Sequence, residues 1–245
     1  MSVLCLSLLT LVAGCNKPES ADALFEKARQ EGYAGDWNAE VDDMTQIIAL
    51  EPQNGPAYVN RGLAKSKKGD QDGAIADYNK AIEINPNDRY AFEGRSEAME
   101  KKGDFGRAII DINKAIELNP TNAVTYSIRG WVEFRKNDFD SSIADENQAI
   151  QLNPQDGQAY GARGWARYSK GDISGTVEDC KKALQLLPPT SISSLEDQGM
   201  LDFIAGDYEK AIAEWQKAVQ QNASIKSDLQ PWIDKAQAKL QEKKP

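Results

Sequence analysis

The stretch that decides the fold is residues 55–88, GPAYVNRGLAKSKKGDQDGAIADYNKAIEINPND. A second version follows at once in residues 89–122, RYAFEGRSEAMEKKGDFGRAIIDINKAIELNPTN. The two segments are 34 residues long and share a central Gly-Asp pair and a late Asn-Pro pair. The same interval separates five prolines, namely Pro52, Pro86, Pro120, Pro154 and Pro188. Such a regular period indicates a stack of equivalent units.

Each unit predicts two helices, A and B, joined by a tight turn. The turn glycine precedes an aspartate that can cap helix B, and the proline ends helix B. These pairs are Gly35-Asp36, Gly69-Asp70, Gly103-Asp104, Gly171-Asp172 and, one residue late, Gly206-Asp207. The fourth unit has Asn137-Asp138 instead, and asparagine is the next-best residue for a left-handed backbone conformation. The sequence therefore predicts a turn there too.

Small and aromatic residues recur between these landmarks. The second unit has Tyr58, Gly62, Ala74, Tyr78, Ala81 and Pro86, and the fourth has Tyr126, Gly130, Ala149 and Pro154. This pattern resembles the tetratricopeptide repeat family. The resemblance implies an all-α, right-handed α-solenoid with six helix–turn–helix units, 21–54, 55–88, 89–122, 123–156, 157–191 and 192–225. We expect residues 226–245 to form a capping helix over unit six, with a charged tail.

The amino-acid composition argues against several classes of function. The chain has no histidine, which removes Ser-His-Asp and Cys-His nucleophile activation and the common histidine-based zinc sites. A net charge of −9 argues against nucleic acid as a partner. We expect no enzyme activity, no catalytic residues, no cofactor and no metal site.

The N-terminal segment predicts a bacterial lipoprotein. Residues 1–14 carry no charged side chain and include an apolar stretch too short to span a bilayer. Val12-Ala13-Gly14-Cys15 resembles the lipobox, which implies cleavage before Cys15 and acylation of that residue. Residues 15–20 would then be a short tether, and Asn16 favours the outer membrane facing the periplasm. An ordinary cleaved signal or a short apolar tail remains the alternative.

An opposite-charge pair recurs within the units. Helix A carries an arginine and helix B an aspartate sixteen residues later in units two to five. The pairs are Arg61 with Asp77, Arg95 with Asp111, Arg129 with Asp145 and Arg163 with Asp179. We expect ion pairs that join the two helices of each unit. An acidic ligand held by these arginines is the alternative.

One stripe of helix A is predicted to line a concave groove. In units four to six it carries large side chains, namely Trp131, Phe134, Trp165, Tyr168, Met200 and Phe203. Exposed aromatic residues carry much of the energy of protein interfaces, so these are predicted to bind a partner. Glu93 and Glu97 add an acidic patch in unit three. Two alternatives remain: the second member of each pair is core, or the C-terminal helix fills the groove.

The sequence thus predicts a membrane-anchored scaffold or adaptor of the cell envelope that binds a protein or peptide segment in its groove. Its overall plan is similar to pilotin-like lipoproteins that escort a secretin, and to adaptors of peptidoglycan hydrolases. A lipoprotein that binds glycan or peptidoglycan, with Trp131 and Trp165 as stacking platforms, is the rival interpretation. The partner and the oligomeric state do not follow from sequence.

Overall fold

Helices account for nearly all of the computed structural model, which describes residues 20–242. Within that range the A helices are Ala21–Ala34 (α1), Gly55–Lys67 (α3), Arg89–Lys101 (α5), Ala123–Arg135 (α7), Gly157–Ser169 (α9) and Ile192–Ala205 (α11). The B helices are Trp37–Leu50 (α2), Gln71–Ile84 (α4), Phe105–Leu118 (α6), Phe139–Leu152 (α8), Ile173–Leu186 (α10) and Tyr208–Gln221 (α12). A 3₁₀ turn, Ala223–Ile225, leads into Lys226–Glu242 (α13). The all-α helical-repeat superhelix is therefore confirmed.

The turn between helices A and B has the predicted left-handed residue in every unit. The five turn glycines have φ between 77° and 89°, and Asn137 has φ of 65°. A side chain is strained in this region, and asparagine tolerates it better than most residues. The prediction that Asn137 replaces the turn glycine is confirmed.

The core of unit two forms where small residues of helix A meet a large residue of helix B. The ring of Tyr78 is 2% exposed and lies between two glycines. A Cβ atom built on Gly62 would lie 3.0 Å from the ring, and one on Gly94, in the next unit, 2.4 Å. One aromatic side chain thus packs against two successive A helices.

Neighbouring A helices touch along most of the array. Contacts join α3 to α5, α5 to α7, α7 to α9 and α9 to α11, and helix B of each unit packs against helix A of the next. The A helices therefore line the inner face of the curved stack, which is the surface predicted to bind.

The last helix does more than cover unit six. Leu229, Ile233 and Ala236 of α13 are buried, and the helix packs against α12. Its Trp232 also reaches Trp165 of unit five, with ring centroids 5.1 Å apart. The expected capping helix therefore folds back over the inner face, as the groove-filling alternative described.

The predicted signal segment (1–14), the lipidation site Cys15 and almost all of the tether lie outside the described residues. Among the helices that are described, none is both long and apolar enough to cross a bilayer.

Candidate partner-binding site

Two of the six predicted groove residues lie in the core. Met200 is fully buried and Phe203 is 7% exposed. The Phe203 ring contacts Trp215 at 5.9 Å and Trp232 at 6.3 Å between centroids. The prediction that Met200 and Phe203 are exposed in the groove is therefore wrong, because α12 and α13 cover that end of the inner face.

Trp165 and Tyr168 lie at the seam between the repeats and α13. Both are partly buried, and Trp232 packs edge-on against them at 5.1 and 5.2 Å. The Trp165 indole N–H donates to Oδ1 of Asp197 at 3.3 Å. Lys235 Nζ lies 5.3 Å from the Tyr168 ring. Their contact surface is thus shared with the chain's own last helix.

Trp131 is the exposed aromatic residue among the six, with 41% of its surface accessible. Its ring stacks on Phe134 at a centroid distance of 5.7 Å and an interplanar angle of 18°. The guanidinium of Arg135 lies 5.8 Å from the ring centroid. This stack presents one large apolar face to solvent on the inner side of unit four.

The predicted acidic patch of unit three is largely neutralised by neighbours. Glu93 accepts from Arg89 at 2.6 Å and from the buried Thr125 hydroxyl at 2.5 Å. Glu97 forms an ion pair with Lys101 at 2.7 Å. Both basic partners lie four residues away on the same helix. Glu93 and Glu97 therefore offer less free negative charge than the sequence pattern suggested.

The repeated arginine–aspartate pair forms in each of units two to five. Nε and Nη2 of the arginine donate to the two carboxylate oxygens at 2.6–2.9 Å. The aspartates are 3–6% exposed. This bidentate geometry matches the planar guanidinium to the carboxylate and ties helix A to helix B.

Each of these arginines also holds the preceding unit, a contact that the sequence analysis missed. Nη1 donates to a polar side chain of the previous helix B at 2.6–3.2 Å. The acceptors are Thr45, Asn79, Asn113 and Asn147, spaced at the repeat interval. That series of polar residues was the sequence signal for a link between units.

A cavity of about 310 Å³ lies beneath α13, between units four, five and six. Trp131, Phe134, Trp165 and Trp232 form its aromatic walls. The small residues Ser127 and Gly161 leave room on helix A, and Asp228 and Leu229 contribute from α13. Its size is at the lower end of small-ligand pockets, enough for one side chain or a small molecule.

Glu146 lies against this cavity in an unusual setting. It is 1% exposed, and Ser127 donates to its Oε2 at 2.8 Å. Its Oε1 has no hydrogen-bond donor among the described residues and lies 2.8 Å from where a Cβ of Gly130 would be. Burial raises the pKa of the Glu146 carboxyl to about 8.

Two more acids with a raised pKa come from α11. Asp197 is 2% exposed and its Oδ2 has no donor among the described residues. Burial, then the charge of Glu196, raises the pKa of Asp197 to about 8. Burial and Asp228 raise the pKa of Glu196 to about 7. Near neutral pH, Glu146 and Asp197 are therefore mostly protonated and Glu196 is about half protonated.

Models of the tetratricopeptide repeat family match residues 55–88 and 94–122. These segments are helices α3 to α6, arranged as two helix–turn–helix units. The chain is a tetratricopeptide repeat protein. No curated protein sequence is significantly similar to it.

Solved structures share the fold of this tetratricopeptide repeat protein at low identity. A tetratricopeptide repeat protein from Parabacteroides merdae superposes with a TM-score of 0.75 at 18% identity, over 91% of this chain and 86% of that one. A chain of the APC/C hetero-tetramer Cut9-Hcn1 gives 0.71 at 16%, over 90% and 43%. YrrB, described as having an unusual peptide-binding site, gives 0.51 at 19%, over 74% and 92%. These likenesses establish the superhelical fold.

One of the cavity acids, Glu146, is recognisable from the sequence alone. The position of helix B that packs against helix A holds Met44, Tyr78, Ile112, Glu146, Cys180 and Trp215 in the six units. Five of these residues are apolar or weakly polar, and all six are buried. An acid at this position of unit four marks a departure from the repeat. No group of three acidic or cysteine residues arranged to hold a metal occurs in the described range.

Proposed function

We propose that this tetratricopeptide repeat protein is a lipid-anchored scaffold of the bacterial cell envelope that binds a segment of a partner polypeptide on its inner face. Tetratricopeptide arrays are in general protein-binding scaffolds rather than enzymes. The observation that carries the proposal is Trp131, which is both exposed and part of the cavity wall. Large aromatic side chains at the edge of a pocket are typical binding hot spots.

The binding half of the proposal is tested by affinity capture with the full chain. Solubilised envelopes are passed over wild type, Trp131→Ala and Ile110→Ala. Ile110 is 67% exposed on α6, outside the inner face, so it controls for loss of an exposed apolar residue. We expect one polypeptide to be retained by wild type and Ile110→Ala and lost by Trp131→Ala. Equal retention by all three would refute binding at this site.

The anchoring half rests on the sequence at Cys15. Three acyl chains would hold the array durably at a membrane, and the tether would keep it close to the surface. Labelling with a palmitate analogue in a bacterial host should mark wild type and Cys180→Ser but not Cys15→Ser. Cys180 is a buried free cysteine and is the matched control. Label on Cys15→Ser, or none on wild type, would contradict the anchor.

The glycan-binding rival required two exposed stacking platforms. Trp131 is exposed, but Trp232 covers part of Trp165 and the Asp197 carboxylate accepts its N–H. The inner face thus presents one open indole instead of a pair. This arrangement favours a polypeptide ligand with a side chain for the cavity.

A further inference from the structure

The cavity beneath α13 combines aromatic walls with carboxyl groups. Its lining includes four carboxyl residues, Glu146, Glu196, Asp197 and Asp228, and within the described chain no lysine or arginine lines it. Three tryptophans and Phe134 form its aromatic walls. Aromatic faces and carboxylates together favour an organic cation over an anion or a neutral group.

Two of these carboxyl groups are only partly satisfied by hydrogen bonds, as are Glu31, Glu40, Asp43 and Glu100 elsewhere in the described chain. Asp77 and its equivalents each accept two hydrogen bonds from their own arginine. Oε1 of Glu146 and Oδ2 of Asp197 are buried without a donor among the described residues. A buried acceptor left unsatisfied is costly, and both residues line the same cavity.

Two arginines that interact with the cavity acids are already engaged. Arg135 contacts Glu100 at 3.0 Å and Asp228 at 3.6 Å. Arg163 donates to Asp179 and to Asn147. Neither arginine lines the cavity, so neither supplies a donor to Oε1 of Glu146 or to Oδ2 of Asp197.

We propose that this cavity receives a lysine or arginine side chain of the partner polypeptide, whose cationic group donates to Glu146 and Asp197 between the faces of Trp131, Trp165 and Trp232. The inference rests on the proposed function and names the chemistry of the bound segment. An extended peptide on the inner face would insert this side chain beside the exposed Trp131–Phe134 stack. The apolar stem would contact the rings and the charged end would reach the acids.

Cation binding at this site has a defined pH dependence. The raised pKa values of Glu146 and Asp197, each about 8, mean that both groups are mostly protonated at pH 6. Raising the pH toward 9 ionises them, so affinity for a cation rises and binding releases protons at neutral pH. The charged groups that act on the two acids are Asp145, Asp156, Arg163, Asp179 and Glu196, with Asp228 acting on Glu196.

The test uses the full chain and the blocked pentapeptide Ala-Leu-Lys-Leu-Ala, with norleucine or glutamate replacing lysine as controls. Binding is followed through the indole N–H resonances of the protein. We expect the lysine peptide to bind about tenfold more tightly than the norleucine peptide at pH 8, with a smaller preference at pH 6.

The double variant Glu146→Gln/Asp197→Asn should lose this preference. The double variant Glu83→Gln/Glu117→Gln removes two exposed acids outside the cavity lining and should keep it. The single variants Glu146→Gln and Asp197→Asn are measured alongside, and circular dichroism checks folding. Each single variant is expected to reduce the preference severalfold, so the proposal stays testable if the double variant fails to fold.

Equal affinity for lysine and norleucine peptides, or a preference that survives in the cavity variants, would overturn the cationic occupant. If Trp131→Ala still abolishes envelope capture in that case, the scaffold proposal stands without it. Spermidine binding more tightly than the lysine peptide would assign the cavity to a free polyamine and overturn the polypeptide source.

Discussion

Replacing Glu146 with glutamine should stabilise the protein by an amount that grows with pH. The wild-type carboxyl is 1% exposed and its pKa rises from 4.5 in the unfolded chain to about 8 in the folded one. The folded state therefore binds this proton more tightly than the unfolded state. Stability contributed by the neutral form is fully present below pH ~4.5 and is lost as the pH rises toward 8.

The size of this loss of stability follows from the same pKa shift of Glu146. Each pH unit above ~4.5 costs the folded wild type about 1.4 kcal/mol until the folded pKa is reached. The loss is on the order of 3 kcal/mol at pH 7, a substantial part of a typical domain's stability. Glu146→Gln removes the charge while keeping the shape. Glu146→Ile goes further, because the equivalent position of unit three is Ile112.

Urea unfolding at pH 5 and pH 8, followed by far-ultraviolet circular dichroism, measures the effect. The variants should exceed wild type by under about 1 kcal/mol at pH 5 and by several kcal/mol at pH 8. Glu83→Gln is the control, since Glu83 has a side chain 70% exposed in an ion pair with Lys80. A Glu146→Gln advantage that does not change with pH, or a loss of stability at pH 8, would refute the reasoning.

Three further predictions concern packing and pairing. Arg129→Ala removes both hydrogen bonds to the buried Asp145 and should reduce the free energy of unfolding by about 2–3 kcal/mol. Thermal unfolding measures this effect, and an unchanged Tm would show that the pair contributes nothing to stability. Gly94→Ala places a Cβ 2.4 Å from the Tyr78 ring and should cost about 1–3 kcal/mol in urea unfolding, whereas a neutral result would mean that the ring moves freely. Trp232→Ala removes the ring that joins α13 to unit five, so limited proteolysis should release α13 much faster than in wild type; equal cleavage rates would show that the helix is held elsewhere.

Residues close together in the sequence were enough to predict the structure of the repeat. The turn at Asn137 and the four arginine–aspartate pairs depend on residues within one 34-residue unit, whose two helices are joined by a short turn. The path of α13 depends on contacts between residues far apart in sequence. Trp232 and Ile233 predict an apolar helix face, but nothing local tells which surface that face meets.

The predicted groove residues also separate what residues within one unit determine from what distant helices determine. Trp131 and Met200 occupy equivalent positions of helix A, yet one is 41% exposed and the other fully buried. The difference comes from α12 and α13, which cover only one end of the array. By contrast, the pairing of Glu97 with Lys101 was visible as a four-residue spacing on one helix, and the acidic residue at position 146 was visible by aligning the units.

The double engagement of each arginine has a mechanical consequence. A guanidinium that holds both its own helix B and the one before it sets the distance between consecutive outer helices, and hence the local radius of curvature. Unit six has Gln198 at this position, which donates to Asp202 of its own helix. The interface between units five and six thus lacks the arginine hydrogen bond to the preceding helix B. Trp232 joins these two units instead. We expect bending of the superhelix to concentrate between units five and six. A ligand that enters beneath α13 would then straighten the superhelix first at that position.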